Sequence, residues 1–411
     1  MSIMKRLRGF VQRITKLAVD LTRGEAKLAS DLVVGISQTQ SVLLSETARV
    51  INKIEGSSDD DDAKALIRTE QRLSKGLAKT KSGLDELPQA WLRFAAPTTR
   101  RLKFVTVDGS DMTKPYGGTF EYLDKVRDGS APGKPIKSGY WLINIEAADG
   151  QGHHVPLVLT PFSTQDPDYQ DKGDKAWSLT FQEEMRKVVP VTAEDATWLF
   201  DRGFDDNEHF RFMREIGRKH VVRMKRNRNV LVGGETTPSV QNIATFAEGL
   251  KKSHAASIRY VDKKTHAQKT CWLSFTFVPV RLPDVAGSFW LIVVTGTQGE
   301  DWLLLSDQRP RNAKEAEAII QAYIERWGNE EVTRLWKQCV DAEDVRVRKL
   351  CAIRRLLFLS MVAVGIQALL LLRRPKSAQK LIARVKVFIQ SVRFLYYRLW
   401  RGVAHALDHG G

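Results

Sequence analysis

The chain has 411 residues, of which 43% are hydrophobic, so it is long enough for two or three folded domains with a sizeable core. Lys and Arg outnumber Asp and Glu by 64 to 48, giving a net charge of +16, which indicates a nucleic acid or an anionic membrane as partner without choosing between them. The 3 cysteines form no CxxC pair and no disulfide framework, so we expect reduced thiols in a cytosolic compartment and no zinc site.

The first 95 residues predict helices, because apolar positions recur at helical spacing, as in LAVDLTRGEAKLASDLVVGI. The start of the chain is basic and amphipathic, but it lacks an apolar run and a small-residue cleavage site, so we expect no secretory signal. Four consecutive aspartates, Asp59 to Asp62, interrupt this region. Adjacent carboxylates diverge and repel one another, so we interpret this run as a solvated linker or helix N-cap rather than a metal cluster.

From Leu102 the pattern changes to strands, in LKFVTV, YWLINIEA and VPLVLTPF, followed by a helix near Lys175 to Val188 and a short strand, ATWLF. Three strands, a helix and a fourth strand predict a mixed sheet with a crossover connection. Asp108 directly follows the first of these strands and Asp201 follows the fourth. If the two strands are parallel neighbours, both carboxylates emerge at one edge of the sheet and could share metal ions. Aspartate also begins turns, so neither residue is specific alone.

A strongly basic segment follows Asp201, with eight Lys or Arg between Arg211 and Arg228. Its pattern predicts a helix running into a strand, and its charge density favours phosphate contact over a merely solvated surface. Strands dominate again from about Ser257 to Leu305, in segments such as CWLSFTFVPVRL and SFWLIVVTG.

The stretch YIERWGNEEVTRLWK predicts a helix on which Tyr323, Arg326, Glu330 and Lys337 share an arc about 60° wide. The first and last of these residues are about 21 Å apart along the helix, so a long polyanion fits this face better than a small ligand. A solvated stripe with incidental ion pairs is the alternative.

Seventeen uncharged residues, Leu356 to Leu372, lie between two pairs of arginines in a C-terminal region that is otherwise helical and basic. About 20 apolar residues are needed to cross a bilayer, and arginines at both ends give no orientation bias. We therefore expect a buried helix rather than a transmembrane one.

Together these segments resemble the DDE transposases of bacterial cut-and-paste insertion sequences, in the group with a Tyr-x2-Arg-x3-Glu-x6-Lys pattern. Tyr323, Arg326, Glu330 and Lys337 match that spacing without a gap. The resemblance covers roughly Leu102 to Leu359. It implies a ribonuclease H-like catalytic core, a mixed sheet flanked by helices, interrupted by a β-rich insertion and joined to helical N- and C-terminal regions.

The resemblance assigns the catalytic acids to Asp108, Asp201 and Glu330, which would also be the metal ligands. Hard oxygen donors suit Mg²⁺ or Mn²⁺, and two such ions can clamp the attacking and leaving oxygens of a phosphodiester. The DNA-binding residues implied are Tyr323, Arg326 and Lys337, with Trp302, in DWLLLS, stacking on a base flipped from the DNA end.

Two departures from the family pattern stand out. Gly328 and Asn329 replace the bulkier residues usual before the glutamate, and glycine inside a helix costs about 1 kcal/mol, so a kink or a close approach of DNA is expected there. Asp111 is a rival first acid, but Asp108 is preferred because it directly follows the predicted strand, whereas Asp111 is interpreted as a turn or supporting residue.

The resulting domain prediction has five parts: a helical region that binds DNA ends (1–95), the first part of the catalytic core (96–225), the β-rich insertion (226–305), the second part of the core (306–345) and a helical basic C-terminal region (346–411). The implied activity is cleavage of the terminal inverted repeats and joining to target DNA. We expect a homodimer that synapses two ends, double-stranded DNA as partner, no membrane partner, and a cytoplasmic, nucleoid-associated location in a bacterium.

Three other functions fit parts of the sequence. One is a non-catalytic DNA-binding relative, domesticated or inactive, although binding alone does not require three acids. Another is a structure-specific nuclease of the same fold, which would cleave DNA without joining it. A membrane-associated protein is the last, supported by the apolar segment and by the amphipathic stretch VFIQSVRFLYYRLW.

Overall fold

A computed structural model describes residues 3–54, 63–129, 131–234, 238–261, 268–297, 300–385 and 395–408. The four consecutive aspartates lie outside these ranges, so their interpretation as a linker stays a prediction.

The described residues form helices and strands in the following order. The helices are α1 (Ile3–Thr15), α2 (Arg23–Thr39), α3 (Leu44–Ile54), α4 (Ala63–Leu77), α5 (Leu87–Thr99), α6 (Pro167–Gln170), α7 (Ala176–Val188), α8 (Asn207–Glu215), α9 (Ile243–Glu248), α10 (Ala313–Glu325), α11 (Trp327–Cys339), α12 (Leu350–Arg373), α13 (Pro375–Ile382) and α14 (Tyr396–Asp408). The strands are β1 (Phe104–Thr113), β2 (Asp124–Arg127), β3 (Ile136–Ala148), β4 (His154–Phe162), β5 (Thr197–Phe200), β6 (His220–Arg223), β7 (Asn229–Val232), β8 (Ser239–Asn242), β9 (His254–Val261), β10 (Gln268–Leu282), β11 (Val285–Thr295) and β12 (Trp302–Ser306).

These elements group into two compact units. The first contains Met1–Leu102, Asp108–Ala193 and Gly328–Gly411, and the second contains Lys103–Val107 and Glu194–Trp327. The five predicted domain boundaries stay a prediction.

The apolar helix α12 is the centre of the first unit. It packs against β4 and against α2, α4, α5, α13 and α14, so its apolar surface faces other parts of the protein on most sides. Among the residues that the structure describes, it is the one helix long and apolar enough to cross a membrane, with a mean hydropathy of 2.1. Length and composition alone are weak evidence for a transmembrane helix. Of the apolar 18-residue window in this helix, 89% is buried within the protein, as predicted for a core helix.

Two contacts fix α12 in place. Gly365 lies against the indole ring of Trp91, so closely that an added Cβ would come within 2.4 Å of ring carbon Cζ2. Near the start of the helix, the buried guanidinium of Arg355 donates to both carboxylate oxygens of Asp85, at 2.7 and 2.6 Å, and also to the carbonyl oxygen of Leu77. Because the guanidinium is paired on several sides, an arginine is tolerated within a buried stretch.

In the first unit, β3 forms antiparallel pairs with both β2 and β4. β3 pairs with β2 through its first residues and with β4 through Trp141 to Ala148. Beyond Val107, β1 lies beside β3 in the strand order β2-β3-β1, and the Lys114 N–H donates to the Ser138 carbonyl at 2.6 Å just past the end of β1. The prediction that the first strand ends at Asp108 is therefore wrong, because pairing with β3 extends the strand to Thr113 and places Asp108 and Asp111 within it.

The second unit contains one sheet with parallel and antiparallel neighbours, in the order β1-β5-β6-β12-β11-β10-β7-β8, with β9 pairing β10. β5 is parallel to both β1 and β6, and the other pairs are antiparallel. Helix α10 contributes Ile320 and Tyr323 to a core formed with buried residues of β5, β6 and β9 to β12. Where a strand gives two residues to this core, as β12 gives Trp302 and Leu304, they are two positions apart, which matches one face of a packed sheet.

Most predicted elements are confirmed. Helices occupy the N-terminal region, the four strands predicted before Asp201 are β1, β3, β4 and β5, and strands β9 to β12 occupy the segment near 257–305. This mixed α/β architecture, with a parallel β1–β5 pair joined by a crossover, is compatible with a ribonuclease H-like core.

Candidate active site

The parallel pairing of β1 with β5 aligns the two residues that precede the predicted aspartates. Val107 is the register partner of Phe200, and these two residues immediately precede Asp108 and Asp201 in the chain. Both partners are fully buried, because apolar residues at the centre of a parallel sheet are covered on both faces. The two strands are therefore parallel neighbours, which is the condition stated for both carboxylates to emerge at one edge of the sheet.

Asp201 leaves β5 at the start of a 3-10 turn, where its carboxylate accepts a hydrogen bond from the Gly203 N–H at 2.8 Å. Two further aspartates follow in FDRGFDD, and the structure separates their roles. Asp205 is buried, accepts from the Lys225 N–H at 2.8 Å, and has a pKa raised by burial. Asp206 caps the start of α8. Of the three, Asp201 alone directly follows a strand, and its side chain is partly exposed.

The rival first acid, Asp111, is buried in the first unit and tightly paired. Its carboxylate accepts from the Lys337 ammonium at 2.9 Å and from the Gly129 N–H at 3.1 Å. Lys337 also lies 3.6 Å from a carboxylate oxygen of Glu343. Asp108, three residues earlier on β1, is partly exposed. The lysine of the predicted DNA-binding face is thus held between two carboxylates.

The predicted patterned helix is two helices. α10 ends at Glu325, Arg326 forms a turn, and α11 begins at Trp327. The prediction of one continuous helix from Tyr323 to Lys337 is therefore wrong. Tyr323 and Arg326 belong to the second unit, whereas Glu330 and Lys337 lie on α11 in the first. Glu330 is exposed in the first turn of α11.

The second-unit residues of this pattern form an aromatic and cationic cluster with Trp302. The Trp302 ring lies 5.6 Å from the Tyr323 ring and 5.7 Å from the Trp327 ring, edge to face in both cases. The Arg326 guanidinium carbon lies 5.8 Å from the centre of the Tyr323 ring. Trp302 is 5% exposed and Tyr323 is 1% exposed, so stacking of Trp302 on a base requires its indole to leave this packing.

The basic segment after Asp201 forms α8 and β6, as predicted, but many of its cations have partners within the second unit. Arg211 donates to the Asp284 carbonyl at 2.7 Å, and Arg218 to the Glu194 carbonyl at 3.0 Å. Arg226 pairs with Glu248 at 3.0 Å. Pairing with the protein weakens the argument that the charge density alone marks a phosphate-binding surface.

The sequence analysis missed a buried polar cluster beside Glu330. Asn144 and Glu146 on β3, His154 at the start of β4, and Asn329 on α11 are all buried. Hydrogen bonds join them: Asn144 to Asn329 at 3.0 Å, Asn144 to Glu146 at 2.9 Å, and His154 to Glu146 at 2.9 Å. The available signal was YWLINIEA, in which two polar residues alternate within an otherwise apolar strand.

The chemistry of the three predicted acids fits a hard divalent cation, since each offers carboxylate oxygens. Within the described residues, neither unit by itself holds three or more His, Cys, Asp or Glu side chains grouped to bind a metal. Asp108 and Glu330 belong to the first unit and Asp201 to the second, so the assignment of these residues as metal ligands stays a prediction.

Fold and sequence together define a class: mixed α/β proteins in which two partner residues of a parallel strand pair, Val107 and Phe200, are each followed by an aspartate. Comparison with known families narrows this class. The family model described as the transposase DDE domain matches residues 170–366, and this match supports a DDE transposase. The matched segment includes Asp201, Trp302 and the stretch from Tyr323 to Lys337 but begins after Asp108. No curated protein matches the chain.

Proposed function

We propose that this protein is the transposase of an insertion sequence, which binds the terminal inverted repeats, cleaves the DNA ends and joins them to target DNA. The observation that carries the proposal is the Tyr-x2-Arg-x3-Glu-x6-Lys pattern inside a segment matched by the transposase DDE domain. The β1–β5 register supports it, because the residues before Asp108 and Asp201 are partners in a parallel pair.

In this proposal Asp108, Asp201 and Glu330 hold two divalent cations, Mg²⁺ or Mn²⁺. Such ions supply activation of water and stabilisation of charge on the phosphorus oxygens. Asp201 supports this role because the Gly203 N–H orients its carboxylate while the side chain stays partly exposed. Glu330 supports it because it is exposed on the first turn of α11.

The other residues of the pattern would act on DNA. Lys337 would exchange one carboxylate partner for a phosphate, since a phosphate oxygen competes for the same ammonium group as Asp111. Arg326 is 8% exposed, so its contact with a phosphate requires the guanidinium to turn away from Tyr323. Trp302 would stack on a flipped base after the same kind of displacement, and stacking is worth about 1–3 kcal/mol per base.

We also propose that the protein acts as a homodimer that brings two ends together in the cytoplasm of a bacterium, associated with the nucleoid. Sedimentation with and without DNA carrying the ends tests the dimer, since one DNA end per subunit should give a complex with two of each. A complex that stays at one subunit and one end at saturation would contradict synapsis by a dimer.

The central experiment uses purified protein and labelled DNA carrying the element's own ends, in Mg²⁺, in Mn²⁺ and in chelator. Glu330→Gln should abolish cleavage and retain DNA binding. Glu331→Gln is the matched control, because Glu331 is the next residue on α11 and pairs with Arg334 at 2.6 Å, so it should cleave like the parent.

A second pair of variants identifies the first acid. Asp108→Asn should abolish cleavage, whereas Asp111→Asn should leave it measurable, because Asp111 is buried against Lys337. Salt-sensitive binding without cleavage in either metal would refute the transposase proposal and favour a non-catalytic DNA-binding relative. Cleavage without joining would favour a structure-specific nuclease.

A further inference from the structure

Gly328 lies two residues before the candidate catalytic acid Glu330, and the ring of His154 occupies the space beside the glycine. A Cβ added to Gly328 would come within 1.9 Å of Nε2 and 2.2 Å of Cε1 of His154. No side chain larger than hydrogen fits at this position while the imidazole stays in place. The glycine in the first turn of α11 is therefore explained by packing against His154.

The imidazole of His154 is held firmly from two sides. Its Nδ1 lies 2.9 Å from Oε2 of Glu146, and both side chains are buried. Its backbone is clamped as well, because the His154 N–H donates to the Tyr396 hydroxyl oxygen at 2.7 Å and that hydroxyl donates to the His154 carbonyl at 2.5 Å. A ring anchored in this way cannot move aside without breaking buried hydrogen bonds.

Asn329, the residue between Gly328 and Glu330, is fixed by the same cluster. The side-chain oxygen of Asn329 accepts a hydrogen bond from the amide nitrogen of Asn144, and the same nitrogen lies within hydrogen-bond distance of Glu146 and Thr333. Both asparagines are fully or almost fully buried. The two residues before Glu330 are thus attached to β3 and β4, one by packing and one by a hydrogen bond.

We propose that His154 and Asn144 are positioning residues, which fix the first turn of α11 and so set the place of the Glu330 carboxylate. This inference rests on the proposed function, since it gives the cluster a role in DNA cleavage. Glu330 is exposed in the first turn of α11, and the backbone of that turn sets where its side chain begins. Displacing a reacting group by about 1 Å can slow a reaction about a hundredfold, which is the effect expected here.

The test is a double-mutant cycle between Gly328 and His154. Gly328→Ala should slow single-turnover cleavage about a hundredfold while DNA affinity is unchanged. His154→Asn keeps an amide donor for Glu146 but is too short to reach the alanine methyl. The double variant should therefore cleave faster than Gly328→Ala alone, and its thermal midpoint should also exceed that of the single variant.

Gly118→Ala is the matched control, because Gly118 is an exposed glycine of the first unit outside the predicted end-binding region, and an added Cβ there meets nothing within 4 Å. It should change neither rate nor affinity. If Gly328→Ala alone does not give folded protein, the double variant is compared with His154→Asn. The double variant should then cleave no more slowly than His154→Asn.

Several results would overturn the inference. The first is that Gly328→Ala cleaves as fast as the parent protein. The second is that the double variant cleaves no faster than Gly328→Ala. The third is that the rate loss of Gly328→Ala equals the fraction of that variant that is unfolded at the assay temperature. Each of these leaves the proposed function standing, because the parent protein still cleaves. A parent protein that binds the ends but cuts them in neither metal refutes the proposed function, and the positioning role with it.

Discussion

Replacing Gly365 by alanine is a direct test of how α12 is packed. The new Cβ would lie 2.4 Å from Cζ2 and 2.6 Å from Cη2 of Trp91. The Trp91 ring is fully buried, and its indole N–H donates to the Pro156 carbonyl at 2.9 Å. The ring can make room for the methyl group only by shifting within a filled core and straining that hydrogen bond.

The size of the effect follows from three opposing contributions. Alanine for glycine within a helix stabilises by about 1 kcal/mol. Inserting a methyl group into a packed core costs about 1–3 kcal/mol. Losing a hydrogen bond costs about 1 kcal/mol more. The net is a loss of roughly 2 kcal/mol, which lowers the thermal midpoint by about 4–8 °C in a domain of 150–250 residues.

The assay is thermal unfolding of Gly365→Ala beside Gly9→Ala, both followed by circular dichroism. Gly9→Ala should leave the midpoint unchanged or raise it, because the helix propensity gain meets no steric cost. If Gly365→Ala raised the midpoint as Gly9→Ala does, α12 would not lie against Trp91 and its assignment as the core helix of the first unit would be wrong.

Three further predictions concern charged groups. Asp85→Ala should lower the free energy of unfolding by about 3 kcal/mol, although Asp85 itself is 57% exposed. The reason is that the Arg355 guanidinium, which is 4% exposed, loses its carboxylate partner. An unchanged thermal midpoint would contradict this prediction. Burial lowers the pKa of Lys114 from 10.5 to about 8, so between these pH values the unfolded chain binds a proton that the folded chain has lost, and stability should gain from this lysine as pH rises. Lys114→Met should remove that gain, seen as a flatter dependence of the thermal midpoint on pH. Lys337→Met should lower the free energy of unfolding by about 3 kcal/mol, because it leaves the buried carboxylate of Asp111 without its cation. Adding Asp111→Asn to this variant should recover part of the loss. If the effects of the two substitutions simply add, the ion pair does not contribute to stability.

Local patterns predicted the elements well where period and composition agreed. Apolar runs such as VPLVLTPF and SFWLIVVTG gave strands at nearly the right bounds, and the uncharged segment near the C-terminus gave a buried helix. These segments are specified by their own residues, because burial on both faces requires a continuous apolar run.

The errors arose where a distant partner decides the local structure. β1 continues past Asp108 because β3 lies beside it and pairs with it. The local sequence VDGSDMT does not indicate that pairing. Periodicity likewise gave no sign of the turn at Arg326, since residues on both sides of it favour helix.

The burial of the candidate site residues could not be predicted from the sequence either. The motif spacing located Trp302 and Tyr323 but not their packing against each other. Gly328 appeared anomalous until the ring of His154, 174 positions away in sequence, was placed beside it. Contacts between residues so far apart depend on the whole fold, which a single sequence does not display.

The division of the chain between the two units has a consequence for biosynthesis. The second unit is complete once Trp327 has been made, because it draws only on Lys103–Val107 and Glu194–Trp327. The first unit needs α11 to α14 as well, so the apolar faces of α1 to α5 stay uncovered by α12 while more than two hundred residues are translated. At about 5–20 residues per second this takes on the order of 10–50 s. Such a nascent chain exposes aggregation-prone surface for that interval, which makes its yield sensitive to chaperones that shield hydrophobic segments on the ribosome.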